Sequence, residues 1–161
     1  MPDAPDVPSG IGSAYAPESY LPHLPPWIFV DRIDSIDPPN SIQATRTIAE
    51  GDPFVRAHFA GKGRIFPGVL LIEMVGQVAT LLQTVFAREQ LPQRSALSLP
   101  EAHLLARCKA SFHSPARIGD VLTVRVGRQD TVGSTSLFRG IVTCGERAVC
   151  TVELLGAAAK I

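Results

Sequence analysis

From Val69 onward the chain reads VLLIEMVGQVATLLQTVFAREQ, with apolar residues on nearly every helical face. That density predicts one long helix over about 67–89, apolar all round and therefore buried all round. Pro67 stands where a first turn tolerates a missing N–H. Arg88 lies where a cation complements the C-terminal end of the dipole, and Pro92 stops the helix. The flanking segments follow a different rhythm. Trp27–Ile33 reads as a strand, with a turn at Asp37-Pro38-Pro39-Asn40 beyond it. SIQATRTI (residues 41–48) alternates and reads as a half-buried strand. Gly51-Asp52-Pro53 reads as another turn, leading into a polar, Gly-rich loop that carries His58. A loop over 91–100, between two prolines, leads to strands over about 101–114 and 120–130. A hairpin within 134–155 turns at Cys144-Gly145-Glu146-Arg147. There are no internal repeats.

Strands segregated from one long helix imply an α+β architecture, an antiparallel sheet wrapped around that helix. One curved sheet leaves the helix partly uncovered, and a second copy is the natural cover, so at least a dimer is expected. Residues 1–18, rich in Pro, Gly, Ser and Ala, read as a flexible N-terminal arm, and residues 19–161 as a single domain.

At 161 residues the chain can build a real core. Its 15 basic and 15 acidic residues give zero net charge, against a nucleic-acid partner held by phosphate neutralisation. The helix is long enough to be mistaken for a membrane span. Glu73, Gln77 and Gln83 inside it, and strands on both sides, argue against one. Cys108, Cys144 and Cys150 lack metal-ligand spacing. Their odd count and scatter fit a reducing cytosol, with the thiols acting as small buried hydrophobes. No basic region followed by an apolar run opens the chain, so no secretory signal is expected.

Glu73 is the anomaly of the pattern, a carboxylate one turn into an apolar helix. Burial makes such a group costly unless it is hydrogen-bonded or protonated. Gln77, four residues on, shares its face. A structural reading is open too, in which Glu73 complements the helix dipole or forms a subunit salt bridge. His58 taken alone is a weaker signal still, since a lone histidine is more often structural. Together, within residues 53–77, a histidine, a carboxylate and a helix start at Pro67-Gly68 suggest proton transfer on a carbonyl compound. His23 reads as a structural hydrogen-bonding residue, and His103 and His113 as surface or edge residues.

The segments LPHLPPWIFVDRI, DPFVRAHFAG, FPGVLLIEMVGQ and FHSPARIGD, in this order, resemble the hot-dog-fold 3-hydroxyacyl-(acyl carrier protein) dehydratases of fatty-acid and polyketide assembly. The resemblance runs from about Leu21 to the C-terminus. It implies loss of water from a 3-hydroxyacyl thioester to give the trans-2-enoyl thioester, with no metal or organic cofactor. His58 would be the base at the α-carbon, and Glu73 would protonate or orient the departing hydroxyl, directly or through water. The Gly68 N–H would bind the thioester carbonyl, with Gln77 in support. It implies an acyl carrier protein with a phosphopantetheine-linked acyl chain as partner, met by some of Lys62, Arg64, Lys109 and Arg117. It also implies a dimer whose site takes histidine and carboxylate from different subunits, either a homodimer or a heterodimer with a related subunit. Assembly beyond the dimer is open, and a cytoplasmic location is expected. The chain departs from the family's Gly-His-Phe-Pro-Gly at Ala57 and Ala60. The loop after His58 is one residue longer, and Leu24 and Pro25 replace the family's arginine and aromatic residue. Two other readings stay open: a hot-dog thioesterase, and a non-catalytic partner subunit of a dehydratase heterodimer.

Overall fold

The computed structural model describes residues 15–90 and 102–159. Six strands are present among them: β1 (Arg32–Asp37), β2 (Ser41–Thr47), β3 (Ala102–Phe112), β4 (Val121–Val132), β5 (Thr135–Cys144) and β6 (Arg147–Ala159). They form one antiparallel sheet in the order β1-β2-β4-β5-β6-β3. A short helix α1 (Pro53–Ala57) precedes the long helix α2 (Gly68–Gln90). This is the sheet-wrapped helix of a hot-dog fold.

Alternation builds the concave face. On β4, Leu122, Val124 and Val126 point into the core, and on β5 Phe138 and Val142 do the same. They meet Leu71, Met74, Val75, Val78, Leu82 and Val85 of α2, all buried. Gly140 of β5 lets the helix approach closely, since a Cβ there would come 2.3 Å from Val75 Cγ1. The strand pairing shifts register at Ile33/Ser35, Leu105/Arg107, Arg128/Asp130 and Val142/Thr143, bulges or irregularities of the kind that bend a sheet.

Four expectations need correction. The helix is not buried all round. Val69 is 70% exposed, and Ile72, Glu73, Gly76, Thr80 and Gln83 are half-buried, because a single sheet covers one side only. Still, 56% of its most apolar stretch is buried inside the fold, as befits a core helix with the length and composition of a membrane span. The strand expected at Trp27–Ile33 lies instead at Arg32–Asp37. Residues 27–29 are bound by a side chain of α2 rather than by a neighbouring strand: Phe29 N–H donates to Gln77 Oε1, and Gln77 Nε2 donates to Trp27 O. The segment expected as turn and loop at 51–61 contains α1, with Asp52 as its N-cap accepting from Phe54 N and Val55 N at 2.9 and 3.1 Å. Of the cysteines, only Cys150 is buried, its thiol pushed up to about 12 by burial. Cys108 is exposed because it lies on β3, the sheet edge.

Of the N-terminal arm, residues 15–18 are described. Pro17 is buried, and the Tyr15 hydroxyl bonds the carboxylate of Glu89 near the end of α2. The rest of the arm, and the loop over 91–100 with Pro92, lie outside the described residues.

Candidate active site

His58 is placed by its own neighbours in sequence. Asp52, its side chain 1% exposed, caps α1 with one carboxylate oxygen and accepts from Arg46 Nη2 at 2.9 Å with the other. Arg46 also donates to Asp31, so the strap before β1, strand β2 and helix α1 are tied together. α1 ends at His58, whose N–H reaches back to the carbonyls of Phe54 and Val55. The half-buried imidazole stacks on Phe59 with centroids 4.0 Å apart. Phe59 adopts φ 49, a left-handed conformation unusual for an aromatic residue. The His58 Nδ1 lies 3.0 Å from Ile65 O. A carbonyl can only accept, so Nδ1 carries the proton and Nε2 keeps its lone pair. In the neutral ring Nε2 is then the nitrogen free to accept a proton.

Glu73 lies on the open face of α2. Its Oε1 accepts from Gln77 Nε2 at 3.0 Å and lies 3.6 Å from His23 Nε2. Gln77 is buried and fully engaged, since its amide also binds Trp27 O and Phe29 N, each at 2.8 Å. The carboxyl therefore has a fixed orientation. It borders a cavity of about 200 Å³ that follows α2 from Ile72 through Gly76 and Ala79 to Gln83. Leu104, Leu105, Phe138 and Leu154 of the sheet close the other wall. His103 also lines this cavity, and burial pushes its imidazole below the ordinary range. It stands on the edge strand β3, in keeping with the surface or edge placement expected, but half-buried beside the cavity.

Gly68 is the first residue of α2, where an N–H has no intrahelical acceptor. A Cβ on Gly68 would lie 3.2 Å from Cε1 of Phe112, so the ring at the end of β3 covers this helix start. Phe112 was not visible in the sequence as part of the site, because only the sheet register brings it there.

Gln77 and Glu73 come together within one protomer, whereas His58 and Glu73 do not. His58 faces Ile65 and Phe59, and the cavity lining beside Glu73 does not include it. His23, read from sequence as a structural hydrogen-bonding residue, faces Glu73. Its Pro-flanked position gave no such signal, because the contact spans 50 residues of chain. Of the candidate cations, Arg64 pairs with Glu50 at 2.5 Å, while Lys62, Lys109 and Arg117 stand exposed. Among the described residues no group of three or more His, Cys, Asp or Glu side chains could hold a metal ion.

With this geometry in view, comparison with known proteins is decisive for the family. Residues 21–153 match the FabA-like domain. The chain belongs to the FabA-like family. It is 30% identical over 134 residues to the 3-hydroxyacyl-(acyl-carrier-protein) dehydratase FabZ of Levilactobacillus brevis, covering 83% of this chain and 84% of that protein. It is 31% identical over 137 residues to FabZ of Lactiplantibacillus plantarum, covering 83% and 85%. Among solved structures, the dehydratase heterocomplex ApeI:P from Xenorhabdus doucetiae matches with TM-score 0.76 at 17% identity, over 91% of this chain and 92% of that one. A hypothetical thioesterase from Streptococcus pneumoniae matches with TM-score 0.58 at 14% identity, over 80% and 84%. At such identities the two structures speak for the fold alone. The FabA-like assignment rests on the sequence match, and it covers His23, His58, Gly68, Glu73 and Gln77 alike.

Proposed function

We propose that this FabA-like protein removes water from a 3-hydroxyacyl thioester, carried on the phosphopantetheine arm of an acyl carrier protein, to give the trans-2-enoyl thioester. The reaction belongs to fatty-acid or polyketide assembly. The observation that carries the reading is a chain with both a histidine whose Nδ1 lies on Ile65 O, leaving Nε2 as the free nitrogen, and a carboxyl group on a helix-lined cavity. The α-proton of the substrate is weakly acidic and hydroxide is a poor leaving group. His58 Nε2 takes the α-proton, and Glu73 gives a proton to the departing β-hydroxyl. Each positioned transfer contributes about 10²- to 10⁴-fold. Charge developing on the thioester oxygen is met by the Gly68 N–H, backed by about half a positive charge at the start of α2. Gln77 keeps the carboxyl in place, and the acyl chain lies along α2 in the cavity.

The site works as a dimer, with His58 of one protomer facing Glu73 of the other. Supporting this, the two groups face different surroundings within one chain. Residues 104–109 of β3 are exposed along the strand, including Leu104 at 53% and Leu105 at 57%, and β3 is a sheet edge. An uncovered apolar edge strand invites pairing. The protein acts in the cytoplasm, a reading its three free thiols suit.

Incubating the purified chain with a 3-hydroxyacyl carrier-protein thioester tests the proposal. An enoyl thioester supports it. Free acid would mean a thioesterase, and no conversion would mean a partner subunit that needs a second chain.

A further inference from the structure

This inference deepens the dehydratase reading and rests on it. The imidazole of His23 sits between the protein interior and the carboxyl of Glu73. The backbone fixes it there: Leu21 is buried two residues before it, and Trp27 N–H closes a turn onto Leu24 O at 2.8 Å just after it. Its Nδ1 is buried with no hydrogen-bond partner. Its Nε2 faces Glu73 Oε1 at 3.6 Å. Nδ1 lacks a partner in either tautomer, but a bare Nε2 would set its lone pair against a carboxylate oxygen, whereas a proton on Nε2 lies toward it. The neutral ring is therefore the Nε2–H tautomer. The contact is longer than a hydrogen bond, as catalytic contacts commonly are before substrate binds.

Glu73 Oε1 then faces two N–H groups, one from Gln77 and one from His23. Both belong to the same device, since Gln77 also binds the backbone at Trp27 and Phe29, a few residues beyond His23. An oxygen that accepts from Gln77 and has the His23 N–H next nearest is the poorer place for the acidic proton. We propose that His23 is a positioning residue which, with Gln77, occupies Oε1 of Glu73 and so places the acid's proton on Oε2, toward the β-hydroxyl of the substrate. The carboxyl is delivered in one rotamer and with its proton on one oxygen, and His23 itself transfers no proton.

The test compares His23→Phe, which keeps the ring's bulk without a donor, with His23→Gln, which keeps an N–H but cannot titrate. Turnover on a 3-hydroxyacyl carrier-protein thioester is measured per folded molecule, together with Tm. His23→Phe is expected to lower kcat about 10- to 100-fold with KM little changed, the scale of a misplaced catalytic group. His23→Gln is expected to recover most of kcat. Equal loss in both would make His23 a proton-transfer group and overturn the proposal, as would undiminished kcat in His23→Phe. If His23→Phe does not fold, His23→Leu takes its place. The ¹⁵N shifts of His23 in the wild-type protein give a readout apart from turnover. The Nε2–H tautomer is expected, and Nδ1–H would overturn the proposal. An inactive wild type would sink the dehydratase reading, while the tautomer would still judge His23.

Discussion

Gln77 donates to Glu73 Oε1 over 3.0 Å, and its amide is simultaneously anchored to the backbone of Trp27 and Phe29. One buried side chain thus closes the strap before β1 onto α2 and orients the carboxyl beside the cavity. Gln77→Leu removes three hydrogen bonds and leaves Phe29 N–H buried without an acceptor. The loss of stability is expected to be about 2–3 kcal/mol, the cost of a buried unsatisfied group together with lost bonds. Urea unfolding measures it. Activity per folded molecule should fall as well, because the carboxyl loses its support, and unchanged stability would contradict the strap.

His58→Ala and Glu73→Gln are each expected to abolish most dehydration while leaving Tm close to wild type. Because the two groups act on one transition state, the double variant should be little worse than either single one. Subunit exchange then locates the site. A mixture of the two single variants should regain activity, since one of the two composite sites in the mixed dimer carries both native groups. Fully exchanged mixtures that stay inactive would mean a site built within one chain.

Gly68→Val is expected to affect both the chemistry and the packing, because the new side chain meets the Phe112 ring, 3.2 Å from where its Cβ would stand. Adding Phe112→Ala relieves the clash and should restore Tm. Valine keeps the backbone N–H but its side chain blocks close approach of the acyl group to it, so if Gly68 N–H serves the thioester oxygen, kcat should remain low in that double variant, on the order of 10²-fold below wild type, the scale of one oxyanion donor made unusable. Recovery of both Tm and kcat would reduce Gly68 to a packing residue.

Gly140→Ala should be among the more damaging small changes in the sheet. Its Cβ would come within 2.3 Å of Val75 Cγ1, so α2 would have to lift from β5. Overpacking of this kind typically costs about 1–3 kcal/mol. Val75→Ala in the same chain should recover part of that stability, and thermal or urea unfolding of the four proteins gives the coupling directly.

Much of this molecule is legible in its sequence, for physical reasons that can be named. The apolar run of α2, the alternation in β2 and β4 and the turn between β5 and β6 are local patterns, and local patterns set element type. Glu73 and Gln77 share a helix face because 3.6 residues make a turn. α1 is read as turn and loop from sequence because it is only one turn long, too short for a periodic pattern to show. Only the tertiary structure decided the rest. The strand after Trp27 is displaced because a distant glutamine amide, not a neighbouring strand, binds that backbone. Phe112 covers Gly68, and His23 faces Glu73, through contacts whose sequence separation leaves no trace in spacing. The orientation of Glu73 likewise depends on residues fifty positions away, since a side chain's partners are set by packing, whereas its periodicity is set by the chain.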